Sequence, residues 1–330
     1  MAKSVPISVS EDYYQISEAV LSSFPKYRLP LDLFVLDEKT VQLLPYYKKD
    51  HRLSNEQVEE LHKLCQESLL FVSRTDHPIY SQHIIKQLDL VLVDANLKEG
   101  EVADIIIQAL DLKLADFFAQ PVKILFQPLF DDCHVFTEYL WEDRHRIKLF
   151  LRRLYQGEHK LTRHSINTLI VGLWLFINAK AEELLRREFD YMALGLLLHD
   201  VGMTKVPPPV LNKETQLKQD EKSKIPPHVL NGMQILQKMD LSAAEVKAAC
   251  LEHHERCDGS GYPQKLKSQQ ISMIGSIAAV ADSFSAMIQK RPYAGAKTLL
   301  DAGNELMSDN ASYDRRFGTA LYTALVTNSF

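Results

Sequence analysis

Cysteine is scarce, with four in 330 residues (Cys65, Cys133, Cys250, Cys257) and no CxxC pair. That excludes a disulfide scaffold and fits a reduced compartment. Long hydrophobic runs are missing too. The most apolar stretch, Leu169 to Ile177, falls far short of the roughly 20 residues a membrane span needs. The opening MAKSVPISVS carries no apolar core of the secretory kind, so a cytoplasmic protein without membrane contact is expected. There is no basic excess, since 38 Lys+Arg stand against 43 Asp+Glu for a net charge of −5, and DNA is not an expected partner. Walker A, GxGxxG, HExxH and a Ser–His–Asp order are all absent. What is present is an ordinary globular mix, 46% hydrophobic and 25% charged, with enough length for two domains. Twelve histidines complete the picture, and their positions are informative.

The expected fold class is α+β overall: a small N-terminal α/β unit, then helices, then an all-α bundle. LDLFVLD (31–37) and VQLLPYY (41–47) read as strands separated by a turn at Glu38–Lys39, and LLFVSR (69–74) as a third. Ser54 with Gln57 forms a capping box ahead of a helix through Val58, Leu61 and Leu64. Helical spacing takes over from His77. Residues 135–156 read as one long linker helix with a stripe through Ile147, Phe150, Leu151, Leu154 and Tyr155, its Arg146, Lys148, Arg152 and Arg153 forming a solvated face. The expected domains are 1–150, regulatory or partner-binding, and 151–330. In the second, Tyr191 to Leu198 is apolar nearly all round, the mark of a buried helix, and Ser242 with Glu245 suggests another capping box.

Buried helices of the second half end in, or contain, metal-type side chains. His199–Asp200 closes YMALGLLL, His253–His254 closes the helix after Ser242, and Asp282 sits inside IAAVADSFSAM. His164 lies on an apolar face and His228 follows two prolines. Taken singly, each reads as a hydrogen-bonded core group or a helix-end decoration. Taken together, burying five imidazoles and two carboxylates costs several kcal/mol per unpaired group, and divalent cations would compensate. Both readings stand at this level. Imidazole and carboxylate without thiolate suit Fe, Mn, Zn, Co or Ni. Cys250 and Cys257, seven apart, fit no zinc-finger spacing and read as packing. The ligand number suits two ions bridged by Asp200, with a shared hydroxide for in-line attack at phosphorus. Gly259, Gly261 and Pro263 shape a loop that offers Arg256 and Tyr262 to a ligand. The six histidines of the N-terminal half (His51, His62, His77, His83, His134, His145) show no ligand spacing.

These residues resemble the HD-GYP family, bacterial metal-dependent cyclic di-GMP phosphodiesterases within the HD hydrolase superfamily. The matching pieces are HDVG (199–202), HHE (253–255), DGSGYP (258–263), VADSFSAM (280–287) and RPY (291–293), and the likeness covers about 150–330. The resemblance implies a helical bundle around His164, His199, Asp200, His228, His253, His254 and Asp282 as ligands of two divalent ions, iron first among them. It implies a phosphate-contacting Arg291, a cyclic dinucleotide substrate and, as a protein partner, a GGDEF-type cyclase. Three positions depart from the pattern. Met203 replaces the lysine of HDxGK, leaving Lys205 as the nearest lysine for that role. Ala294 replaces a basic residue, and Lys160 stands where three-metal members have glutamate. The departures leave two alternatives to a dinuclear phosphodiesterase: an impaired cyclic-dinucleotide receptor or scaffold, and a phosphohydrolase of another nucleotide.

Overall fold

Short runs rich in β-branched and aromatic residues build a four-stranded antiparallel sheet in the order β1-β4-β2-β3: β1 Tyr13–Gln15, β2 Leu33–Asp37, β3 Gln42–Tyr47, β4 Leu70–Ser73. The computed structural model describes residues 12–329 apart from 38, 41, 95–96, 181–182, 212, 214, 217 and 292–294. Glu38 of the expected turn and Ala294 therefore lie outside the described residues. The register sets Tyr14 against Val72 and Phe34 against Phe71. Leu33, Leu70, Phe71 and Val72 are all buried, so the central strand β4 is covered on both of the faces that successive side chains point to. Helix α1 (Glu18–Ser23) follows β1, and α2 (Asn55–Gln66) starts with the expected capping box: Gln57 N donates to Ser54 Oγ at 3.2 Å and Ser54 N to Gln57 Oε1 at 2.9 Å. Helix α3 (His77–Lys86) comes next, then α4 (Glu99–Ala119).

The chain divides into two compact units, up to Ala109 and from Leu110. The boundary expected near 150 lies earlier because α5 (Lys123–Glu142) packs on α8 (Arg186–Leu198) inside the second unit. The single helix expected over 135–156 does not form. Asp143 adopts extended backbone (φ −146°, ψ 105°) and its carboxylate accepts from His145 N at 2.9 Å. That local bond competes with helix continuation, and α6 is only Ile147–Leu151. Arg146 of the basic face contacts the Tyr139 carbonyl and Glu142.

The second unit is helical, and its described residues show only two isolated β-bridges. Helix α7 (Leu161–Lys180) is buried from His164 to Phe176 and packs on α8 and on α11 (Met273–Met287). Between them come α9 (His228–Lys238) and α10 (Ala244–Glu252), with α12 (Leu299–Ser308) and α13 (Arg315–Val326) paired at the end. Ser242 does not cap α10. The N-cap is Ala243, and Glu245 is buried with Arg187 Nη1 at 3.3 Å instead. Gly202 sits where the turn Val201–Lys205 meets α9, so close that a Cβ would overlap the His228 carbonyl. All four cysteines are free, and burial followed by the charge of Asp200 pushes the Cys250 thiol up to about 12, consistent with packing.

Candidate metal centre

Helix ends aim the imidazoles. A helix leaves its last carbonyls without intrahelical partners, and two of the histidines use them. His199, just after α8, places Nδ1 2.7 Å from Leu196 O. His253, just after α10, places Nδ1 2.9 Å from Cys250 O and 3.1 Å from Ala249 O. His228, opening α9, does the same with Ile225 O at 2.7 Å. In each ring Nδ1–H donates to a carbonyl, which turns Nε2 inward and, once the ring is neutral, leaves the lone pair there.

Those Nε2 atoms converge on Asp200. Its Oδ2 lies 3.6 Å from His164 Nε2 and 3.7 Å from His199 Nε2, and its Oδ1 lies 3.2 Å from His228 Nε2 and 3.6 Å from His253 Nε2. Asp282, from the middle of α11, reaches His164 Nε2 (3.0 Å), His199 Nε2 (3.7 Å) and His254 Nδ1 (3.7 Å). All seven expected ligands thus meet in two sets sharing Asp200: Asp200, His228, His253 and His254; and His164, His199, Asp200 and Asp282. Within each set the donor atoms lie within 4.8 Å of one another.

Divalent cations fit this arrangement. His228 Nε2 and His253 Nε2 face each other at 3.2 Å with Nδ1 of both rings already committed to carbonyls. Two lone pairs at that distance call for a cation between or beside them. His199 Nε2 and Asp200 Oδ1 are buried without a hydrogen-bond partner, a costly state unless something else satisfies them. Nitrogen and oxygen donors without sulfur match a borderline or hard divalent ion.

Charge is organised accordingly. Burial works against ionising Asp200 and Asp282, yet the surrounding imidazoles hold both well below the usual carboxylate range. Burial works against protonating His199, but Asp200 and Asp282 raise it to about 9. Burial and then the neighbouring His253 hold His254 well below the usual imidazole range.

The centre floors a cavity of about 360 Å³. Arg256, Tyr262, Arg291 and Met203 line it. Arg291 Nε is buried and without a hydrogen-bond partner. The Tyr262 ring lies against His254, 4.7 Å between centroids and tilted by 37°. Gly261 is pressed against the chain before it: a Cβ there would stand 2.5 Å from His254 O and Arg256 N. Pro263 follows Tyr262 in a cis peptide. Lys205 is exposed and is not among the cavity-lining residues. It ends the turn Val201–Lys205, whose buried residues Val201 and Gly202 face the protein. Lys160 is likewise exposed and off the wall. Three residues outside the expected site set join the cavity wall. Lys213, paired with Glu221, lines the cavity. His159 lines it beside His164, at 5.8 Å between ring centroids. Ser283, which hydrogen-bonds Tyr313 at 2.9 Å, completes the rim.

A family model described as HD domain matches residues 174–317. Among curated proteins, the chain is 32% identical over 177 residues to a cyclic di-GMP phosphodiesterase of Pseudomonas aeruginosa, covering 54% of this chain and 42% of that one. It is 41% identical over 112 residues to a cyclic di-GMP phosphodiesterase of Thermotoga maritima, covering 34% and 30%. With a 3'3'-cGAMP-specific phosphodiesterase of Vibrio cholerae it shares 35% identity over 127 residues, covering 38% and 24%. The chain spans less than half the length of these relatives. The solved structure of an HDG"Y"P protein from Bdellovibrio bacteriovorus superposes with a TM-score of 0.60 at 15% identity, over 96% of this chain and all of that one, and so shares the fold. The HD-domain match holds six of the seven clustered histidines and aspartates, His164 lying before it. With the HHE and DGSGYP segments beside that match, the second unit is similar to cyclic di-GMP phosphodiesterases over the residues compared and shares the fold of an HDG"Y"P protein.

Proposed function

We propose that the second unit is a phosphodiesterase that uses two divalent ions, iron foremost, to hydrolyse a cyclic dinucleotide such as cyclic di-GMP. The observation that carries this reading is Asp200, whose two oxygens face two separate donor sets. Bound ions would supply an activated water and Lewis-acid stabilisation of phosphoryl oxygens. His164, His199 and Asp282 would hold one, and His228, His253 and His254 the other, with Asp200 common to both. Arg291 brings a buried donor without a partner to the cavity and suits a phosphate oxygen. Tyr262, its hydroxyl held protonated by burial and then by Asp282 and Asp200, offers a ring face and a donor at the lip.

A second reading rests on Met203. It lines the cavity where the family pattern has a lysine, so a receptor or scaffold that binds the nucleotide and signals to a GGDEF-type cyclase keeps a physical basis. The first unit would then serve regulation or partner binding. The test is conversion of cyclic di-GMP and of 3'3'-cGAMP to linear products by iron- or manganese-loaded protein, with Asp200→Ala as control. Linear product that disappears in the variant supports the enzyme. Binding without product selects the receptor, and turnover of some other nucleotide alone selects a different phosphohydrolase.

A further inference from the structure

Residues 157–159 run alongside Lys290 in a short parallel bridge. His159 N donates to the Lys290 carbonyl at 2.9 Å, Lys290 N donates to the Gly157 carbonyl at 3.0 Å, and Lys290 Nζ pairs with Glu158 at 2.6 Å. The bridge puts His159 and Arg291 on the same cavity wall. The His159 ring is held in place: Nδ1 bonds Gln289 Oε1 at 2.8 Å, and Gln289 is itself only 1% exposed. The ring lies beside His164 yet belongs to neither donor set.

With Nδ1 engaged, Nε2 is the ring atom left for a ligand. A hydroxyl satisfies it in either tautomer, because a hydroxyl both donates and accepts. Arg291 on the same wall suits a phosphate. The ligand feature that sets a hydroxyl one carbon away from a phosphoester oxygen is the ribose of a 3'–5' ribonucleotide linkage, through its 2'-hydroxyl. We propose that His159 is a specificity-determining residue that reads the ribose 2'-hydroxyl beside the phosphate held by Arg291. This rests on the phosphodiesterase reading above and adds the residue that distinguishes ribose from deoxyribose in that substrate.

The experiment compares kcat/KM for cyclic di-GMP and for its bis-2'-deoxy counterpart in the wild type, His159→Phe and His159→Asn, with calorimetric binding of both ligands and metal content measured in parallel. The wild type should favour the ribose form by roughly tenfold, the worth of one good hydrogen bond. In His159→Phe that preference should fall to near unity through loss on the ribose form alone, with metal content unchanged. His159→Asn, which keeps a polar group, should retain part of it. A preference that survives in His159→Phe, or an equal loss on both substrates, overturns the assignment. If the phenylalanine variant does not fold, the asparagine variant decides: an undiminished preference there overturns the assignment, and a reduced one supports it. A wild type that cleaves both forms equally overturns only the role of His159. A wild type that neither binds nor cleaves either one overturns the phosphodiesterase reading and this inference with it.

Discussion

Glu255 is the residue whose replacement tests how the lip beside the metal centre is held. It follows His254 directly and is only 1% exposed. Its Oε1 accepts from Gln264 N at 2.6 Å and its Oε2 from Leu266 N at 2.9 Å. Both amides lie just past Tyr262–Pro263, so one carboxylate ties the far side of the loop back to the base of the histidine pair. Glu255→Gln is nearly isosteric but turns one acceptor into a donor that faces a backbone N–H. One charge-assisted bond is lost and a buried donor is left unmet, for a combined cost of about 2–4 kcal/mol. In a unit of this size that lowers the melting temperature by about 2–4 °C per kcal/mol. The tether does not supply a metal ligand, so metal content should hold. Tyr262 should lose its fixed place on His254, and KM for the dinucleotide should rise about tenfold while kcat changes less. Thermal unfolding, metal analysis and steady-state kinetics on one preparation give all three readouts. An unchanged melting temperature with unchanged KM would refute the tether, and loss of metal would show that Glu255 supports the ligands rather than the lip.

Anaerobically purified protein should carry two ions per chain; Asp200→Ala should lose both, His228→Ala chiefly one and Asp282→Ala chiefly the other, as metal analysis would read directly. His199 is raised to about 9 in the metal-free protein, so it is protonated at pH 7 and metal uptake must expel that proton. Calorimetric binding enthalpy should then vary with the ionisation enthalpy of the buffer, and affinity should fall as pH falls. By the same sign, the stability that His199 lends the metal-free fold is fully present below pH about 6.5 and lost as pH rises through about 9. Gly202→Ala should destabilise the second unit by about 3 kcal/mol or more, because a Cβ would overlap the His228 carbonyl in a packed contact; denaturant titration measures it. Met203→Lys should raise kcat on cyclic di-GMP by roughly tenfold or more by restoring a cation at the cavity wall, and no change in rate would remove the argument that Met203 weakens the site.

The helical half was legible because its signals were of the right length. YMALGLLL is an unbroken buried helix, and a chain this apolar that stops at His–Asp announces a polar centre in its core. Element type and order left the seven histidine and aspartate positions open between core groups and ligands, and the family resemblance singled them out as one set; the fold brings them together. What was not legible depended on single-residue competition. The stripe from Ile147 to Tyr155 continues the period of α5, but Asp143 takes a local side-chain bond and ends the helix there. Ser242 matches a capping sequence, yet burial of Glu245 against Arg187 fixes the start of α10 one residue later. Lys205 was two positions from Met203 and close in number only, because the tight turn points it to solvent. Lys213 and His159 reach the cavity from outside any motif, one from the segment between α8 and α9 and the other from a bridge to Lys290. Periodicity carries no record of such pairings.

The local design of the candidate ligands explains why helix ends and histidines coincide in this sequence. A histidine placed at the C-terminus of a buried helix meets carbonyls that have lost their intrahelical donors. His199 and His253 both spend Nδ1–H on such carbonyls three or four residues back. One bond thereby settles two costs: the orphan carbonyl is satisfied, and the ring is locked with its lone pair facing inward. A ligand in the middle of a helix has no such carbonyl to use, and there the chain supplies aspartate: Asp282 sits mid-helix in α11 and is oriented by the imidazoles themselves. His164, in the first turn of α7, follows neither pattern; its Nδ1 is buried without a partner and its Nε2 rests on Asp282. The set holding His164 is thus the less rigid of the two, and it should be the first to release its ion in a graded chelator titration.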